Sequence, residues 1–476
     1  MGSTRVSEVS LTSFIKAGAG TLISQCITFA CLPILFRLYA PEHFAPWALA
    51  LAVASFAGGV ATLRYELAVV VERDHLDASA LFWLSMALAV VLGGIAAAAL
   101  SAPALQVRLF GSVRETGLGG ALTTWLMLVA LTQVVSGWSL HCGAFSAVSL
   151  GQVGNAIATN AVQLAGGFIA PDGRWLILGS ILGQATLLVL TGWLTLRRSR
   201  APAWPGTCVA RIKRLAARHW RFPVFSTPYT FCSIARDRGP ILVLGSFASG
   251  TDVGLYSQAW RILNAPVGIS SSAVRPVVFH AAAKHGLAAQ EAHVGRILAA
   301  FVVLGAPWLA IFAFHAGDIF ALVLGESWRG AGPLAALMIV PVFLLALSNW
   351  FDRFFDLTGR QEVNLVVEFA TAAASTGALA VAFAAGAGVP TAVAIQCAVL
   401  AVSEAVLIVL AYRVAGFRLL ILGRLVLMGV AIAAAFAIGL RMTDAWMASA
   451  SIVLAASIVA ITVGGFAAWP LLRGMR

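Results

Sequence analysis

Runs of about 20 predominantly apolar residues, the length an α-helix needs to cross a hydrocarbon core, recur along almost the whole chain. About fourteen can be placed, at 13–38, 44–66, 78–101, 118–140, 150–170, 174–196, 223–248, 253–279, 297–316, 333–357, 364–386, 391–412, 420–440 and 447–471. Lipid offers the backbone no hydrogen bonds, so a continuous apolar run of this length folds as a helix that satisfies its own amides. The expected fold class is therefore an all-α polytopic membrane protein with about 14 transmembrane helices. Composition agrees: 60% of the 476 residues are hydrophobic, 11% are charged, and the mean hydropathy is +0.93, outside the range of soluble domains.

The net charge of +12 would suit a nucleic-acid partner only if a soluble module carried a basic face, and no segment is long and polar enough to supply one. Topology explains the charge instead. With the N-terminus inside, 22 of the 31 Lys and Arg fall on the cytoplasmic side, six outside and three within spans, the bias of a protein with both termini cytoplasmic. The first residues lack a secretory leader pattern, so the first span is expected to be retained. Cys26, Cys31, Cys142, Cys208, Cys232 and Cys397 show no paired or metal-binding spacing and read as small packing residues.

A basic stretch at 197–222 divides the spans into two sets of six and a terminal pair. The expected organisation is an N-lobe at 1–196, a basic cytoplasmic linker at 197–222, a C-lobe at 223–413 and a C-terminal helix pair at 414–476. PILFRLYAPEHFAPWALA from Pro33 aligns with PILVLGSFASGTDVGLYSQA from Pro240 across an even number of spans. Such a parallel repeat predicts two bundles about an axis along the membrane normal, with a substrate cavity between them.

Residues 231–278 carry Arg236, Asp237, Arg238, Arg261 and Arg275 inside two adjacent spans. Charges there are costly unless they face protein or water, which makes them functional candidates. At 100° per residue, Arg261, Asn264, Gly268, Ser271, Ser272 and Arg275 share one polar stripe, expected to line a cavity; Arg275 alternatively snorkels to the interface. Pro240 and Pro266 are expected to break or bend their helices. Asp237 either pairs internally with an arginine or leaves a guanidinium free for an anion. In the first span Thr21, Ser24, Gln25 and Thr28 form a milder polar face, with Gln25 the candidate ligand. Arg64 and Glu66 sit in the cytoplasmic third of the second span, and the repeat sets Glu66 against Arg275 as a gate that pairs in an outward-open state. Glu368 and Glu404 lie toward cytoplasmic span ends. Asp237 and Glu66 are candidate H+ or Na+ sites; no cofactor or metal is expected. No HExxH, Walker A or other enzymatic constellation occurs, and no loop is long enough to carry a catalytic module, so the chain is not expected to be an enzyme.

The stretch TLISQCITFACLPILFRLYAPEHFAPWALALAVASFAGGVATLRYELAVVV resembles the N-terminal region of polysaccharide-repeat-unit (Wzx-type) flippases, of the multidrug/oligosaccharidyl-lipid/polysaccharide superfamily. DRGPILVLGSFASGTDVGLYSQAWRILNAPVG resembles their second half, with departures at Ala45, Pro46, His141 and Cys142. The resemblance implies a two-lobed transporter of the bacterial inner membrane. By alternating access it would carry an undecaprenyl-diphosphate-linked oligosaccharide to the periplasmic leaflet. The diphosphate would be held by Arg236 or Arg238, Arg261 and Arg275, since guanidinium groups match its oxygens. Membrane lipids, a polysaccharide polymerase and other assembly proteins are the implied partners. Alternatives are a lipid II flippase, a cation-coupled multidrug exporter and a non-transporting scaffold of a polysaccharide assembly complex.

Overall fold

The computed structural model describes residues 11–102, 105–106, 118–199, 201–204 and 209–444, and every regular element among them is helical. The chain divides into two compact units, Met1–Val253 and Gly254–Arg476. The first contains α1 (Leu11–Leu38), α2 (Pro41–Val60), α3 (Tyr65–Val71), α4 (His75–Ser101), α5 (Leu118–His141), α6 (Phe145–Ile169), α7 (Gly173–Arg198), the short α8 (Val209–Arg218), a π turn and α9 (Thr227–Phe247). The long α10 (Gly250–His285) leads into the second unit. There it is followed by α11 (Glu291–Leu324), α12 (Ala331–Ser348), α13 (Asp352–Leu357), α14 (Gln361–Ala384), α15 (Val389–Ala415) and α16 (Leu419–Asp444).

Each expected span from 13–38 to 420–440 coincides with a helix or with two helices separated by a break; the last, 447–471, lies outside the described residues. Among the described residues, ten helical stretches are long and apolar enough to cross a membrane. In these spans small residues and polar side chains, more than bulk apolarity, hold helices together. Gly179 and Gly183 of α7 leave room for Gln163, Asn155 and Thr159 of α6. The second unit is instead clamped by rings: Trp350, Phe351, Phe354 and Phe355 are buried against Tyr412 and Phe417 of the α15 end.

Two sequence expectations are corrected. Pro240 does not break its helix, because α9 runs unbroken from Thr227 to Phe247 with Gly239 and Pro240 buried. The expected span 44–66 is not one helix, because α2 ends at Val60 and α3 starts at Tyr65. α12 and α13 are likewise separated, by residues 349–351. The division between units falls after Val253, so α9 belongs to the first, where it packs along α2 with Phe56 and Phe231 rings 5.4 Å apart.

Within the stretch at 197–222, Val209–Arg218 form a helix that packs on the first unit. Leu215 of α8 is buried among residues of α3, α4 and α5, and the Tyr65 hydroxyl donates to the Ala216 carbonyl at 3.2 Å. Ahead of α8, Trp204 packs edge-on against Trp83, whose indole N–H donates to the Ala203 carbonyl at 3.1 Å. Arg211 pairs with Asp77 at 3.1 Å, and Glu72 receives both Arg218 at 3.3 Å and His219 at 3.2 Å. Burial pulls the Glu72 carboxyl upward, but the His219 hydrogen bond, the Arg73 amide, the Arg218 charge and the Asp74 amide together hold it below its ordinary value. A carboxyl depressed in the folded state stabilises fully above its unfolded value and loses that contribution as pH falls through the folded one. The Glu72 contribution to docking of α8 should therefore persist down to about pH 4 and fade below it. A spin label at Lys213→Cys should gain mobility only in that acid range, and at pH 7 only when Glu72→Gln is added. Unchanged mobility to pH 3 would contradict the assignment.

Candidate functional site

Arg236, Asp237 and Arg238 occupy the middle of α9, where consecutive side chains diverge by 100°. Arg236 is buried and donates its Nε–H to Asp237 Oδ1 at 3.2 Å. Arg238 is half-buried beside the Asp237 charge and makes no hydrogen bond or ion pair of its own among the described residues. The two neighbours offset each other's charge. The second guanidinium, that of Arg238, keeps its donors.

In the same unit, the break between α2 and α3 is built from Leu63 (φ 49°) and Arg64 (φ 60°), the non-glycine residues with positive φ among the described ones. Each such residue costs on the order of 1 kcal/mol, so the surroundings must over-determine the shape. They do. The Thr62 hydroxyl donates to Glu66 Oε2 at 2.6 Å, and Arg64 Nη1 lies 3.2 Å from Glu66 Oε1. Arg64 also donates to Gln133 Oε1 at 3.3 Å, while the Gln133 amide donates to the Gly58 carbonyl, left without a helical partner by the break, at 2.8 Å. Glu66 is 4% exposed, and Gly137 of α5 is needed beside it, since a Cβ there would stand 2.8 Å from the Glu66 carbonyl oxygen.

In the second unit the α10 stripe splits into two parts. Toward its start, Arg261 is half-buried and donates to the Gln258 amide oxygen at 3.4 Å. Asn264, half-buried, makes no side-chain hydrogen bond among the described residues, and Gly268 faces open space. Farther along, Ser271 accepts from Asn349 Nδ2 at 2.9 Å. Arg275 donates to the Asn349 carbonyl, at the end of α12, and pairs with Asp352 at 3.4 Å. The Ser272 side chain lies outside the described ones. Arg275 is thus held by the α12–α13 break. Its truncation leaves a helix-end carbonyl unpaired and Asp352 with only Arg353 at 3.8 Å, a loss of about 1–3 kcal/mol. Thermal unfolding of Arg275→Ala should register it, with only partial rescue by Arg275→Lys, whose single ammonium does not reproduce the planar fork.

Glu66 and Arg275, expected to pair in an outward-open state, each hold partners within their own unit here. In the first-span face, Thr21 donates to Gln152 at 2.8 Å, and the Ser24 and Thr28 hydroxyls return to α1 carbonyls. Gln25 is left with a buried Oε1 that accepts nothing among the described residues. Sequence reasoning missed Gln133, Asn349 and Asp352, none of which belongs to a stripe in its own helix. It also missed the amides of α6, Gln152, Asn155, Asn160 and Gln163, whose 3–5-residue spacing was readable as one face. Glu368 and Glu404 are buried, and Glu404 accepts from Ser348, beside Asn349.

The family described as "Polysaccharide biosynthesis protein" matches residues 34–333. The succinoglycan biosynthesis transport protein ExoT of Rhizobium meliloti (strain 1021) is 25% identical over 368 residues, 74% of this chain and 70% of that protein. Among solved structures, the inward closed conformation of lipid II flippase MurJ superposes with a TM-score of 0.71 at 12% identity, covering 97% of this chain and 99% of that one. An inward-facing multidrug resistance MATE family transporter of the MOP superfamily gives 0.60 at 13% identity, covering 82% of this chain and 95% of that one. At such identities the structural likeness establishes the fold, that of MOP-superfamily transporters, and the sequence match establishes the rest: this multi-span membrane protein belongs to the polysaccharide biosynthesis protein family.

Proposed function

We propose that the protein is a flippase that moves an undecaprenyl-diphosphate-linked oligosaccharide from the cytoplasmic to the periplasmic leaflet of the bacterial inner membrane by alternating access. Its termini are cytoplasmic, and it makes and breaks no covalent bonds. The observation that carries the reading is Arg238, a guanidinium within a membrane-length helix whose charged neighbours, Arg236 and Asp237, engage each other. A diphosphate offers paired anionic oxygens that a guanidinium meets bidentately. Arg261 and Asn264 of α10 offer a second set of donors, and the open space at Gly268 leaves room beside them for a sugar. Gln25 supplies an acceptor for a sugar hydroxyl. Arg275 acts by holding the α12–α13 break, and Arg64 with Glu66 holds the α2–α3 break. H+ or Na+ is the coupling ion we assign, through Asp237 or Glu66, and polysaccharide polymerase is the partner that would receive the product.

Cationic donors fit a multidrug exporter of cationic drugs less well, and the transport function named for the succinoglycan relative favours a transporter over a passive scaffold. Deleting the gene should make a lipid-linked oligosaccharide accumulate, inaccessible from the periplasmic side, while glycosyl transfer continues. Normal polymer export without accumulation would overturn the reading.

A further inference from the structure

The segment around α8 is used by none of the groups assigned above. Its residues Ile212, Leu215 and Ala216 are turned into the first unit, so that apart from Val209 and two alanines what the helix presents outward is cationic. Lys213, Arg214, Arg218 and Arg221 are exposed, Arg214 and Arg218 by 68% and 63% of their side chains. The five Lys and Arg of residues 209–222 meet two carboxylates of the body, Asp77 and Glu72, which leaves an excess of three positive charges. Lys213 and Arg221 hold no ion pair among the described residues. Independently of this charge, two indoles flank the helix with their rings outward, Trp204 at 74% exposure and Trp220 at 48%. Exposed Trp beside a basic helix is the pattern of a surface lying at headgroup level, where the ring prefers the interface and cations meet phosphate.

We propose that Trp204 and residues 209–221 form a docking surface for the anionic glycerophospholipids of the leaflet that this end of the first unit meets. The surface is built on the protein and does not depend on insertion, because its apolar face is already spent on α3, α4 and α5. The Tyr65 hydroxyl bond to Ala216 ties the segment to α3, so bound lipid also bears on the helix that carries Glu66. Charge complementarity selects the occupant: lipids with net negative heads are favoured over zwitterionic ones by about five-fold per cation.

The test uses the full chain in detergent, titrated with phosphatidylglycerol and phosphatidylcholine and read by native mass spectrometry. Wild type should bind phosphatidylglycerol at least about ten-fold more tightly, with the preference shrinking as salt rises. Lys213→Gln, Arg214→Gln and Arg221→Gln combined should lose the preference, on the order of 100-fold in affinity, with thermal unfolding in phosphatidylcholine nanodiscs unchanged. Equal binding of the two lipids by wild type, or an undiminished preference in the folded triple variant, overturns the proposal. So does displacement of phosphatidylglycerol by equimolar inorganic pyrophosphate, which would make the surface a diphosphate site. If the triple variant does not fold, the wild-type lipid ratio decides alone.

Discussion

Glu66→Leu is expected to destabilise the first unit by about 2–4 kcal/mol, among the larger single-residue effects the chain can show. The carboxylate is buried, accepts from Thr62 and is ion-paired with Arg64. Removing one partner of a buried pair costs about 3–5 kcal/mol because the other charge stays behind. Arg64 is 24% exposed and keeps its bond to Gln133, which lowers the figure. The variant also loses what holds Leu63 and Arg64 at positive φ, so strain no longer has an opposing contact. Glu66→Gln retains an acceptor for Thr62 and should fall between wild type and Glu66→Leu. Thermal unfolding of the three proteins in one detergent measures the series, and a Glu66→Leu change within about 0.5 kcal/mol would mean that the network does not set the break.

The second large effect concerns transport without stability. Arg238→Ala removes a guanidinium that has no ion pair among the described residues, so folding should change little. Translocation should fall about 10–100-fold, the worth of a charge-assisted hydrogen bond to the diphosphate in a site sheltered from water. Arg261→Ala, which removes the half-buried guanidinium that donates to Gln258 at 3.4 Å, is expected to slow translocation by a similar factor. Arg236→Ala should behave differently. It strands Asp237, so its defect is one of folding as well as transport. A set in which Arg238→Ala unfolds and Arg236→Ala does not would reverse the roles given to the two residues.

The two helix breaks share a construction. In the first unit the second span is interrupted, and Gln133 of the fourth satisfies the freed Gly58 carbonyl. In the second unit the span made of α12 and α13 is interrupted, and Arg275 of α10 satisfies the Asn349 carbonyl. Irregular backbone at membrane depth is tolerated where protein groups replace the lost helical bonds, and here a long side chain from a neighbouring helix does so in each case. Each break also sits beside a buried or half-buried acid, Glu66 or Asp352.

Much of this architecture was legible because lipid imposes a length and a periodicity on every span. The helices from α1 to α16, the basic α8 excepted, lie where the apolar runs are, and the polar stripe of α10 was readable from 100° spacing. The breaks were not. Pro240 marks a helix that continues, whereas the α2–α3 interruption at residues 61–64 contains neither Pro nor Gly. Its cause lies on another helix, in the Gln133 side chain and the space left by Gly137. The division of labour among Arg236, Asp237 and Arg238 was equally hidden, since adjacent residues diverge and only packing decides which guanidinium the carboxylate takes. Within the basic stretch, Ile212, Leu215 and Ala216 form an apolar face that charge alone did not bring out.

The central claim is that a diphosphate-bearing lipid is the cargo and that guanidinium groups within the spans hold it. Reconstituting the purified full chain into liposomes that carry a labelled undecaprenyl-diphosphate-oligosaccharide tests it most directly, by following how fast the label becomes accessible on the opposite leaflet. The account predicts rapid translocation by wild type, slowed about 10–100-fold by Arg238→Ala or Arg261→Ala, and weak translocation of the same oligosaccharide on an uncharged lipid. Equal rates for charged and uncharged carriers, or full activity in both arginine variants, would contradict it.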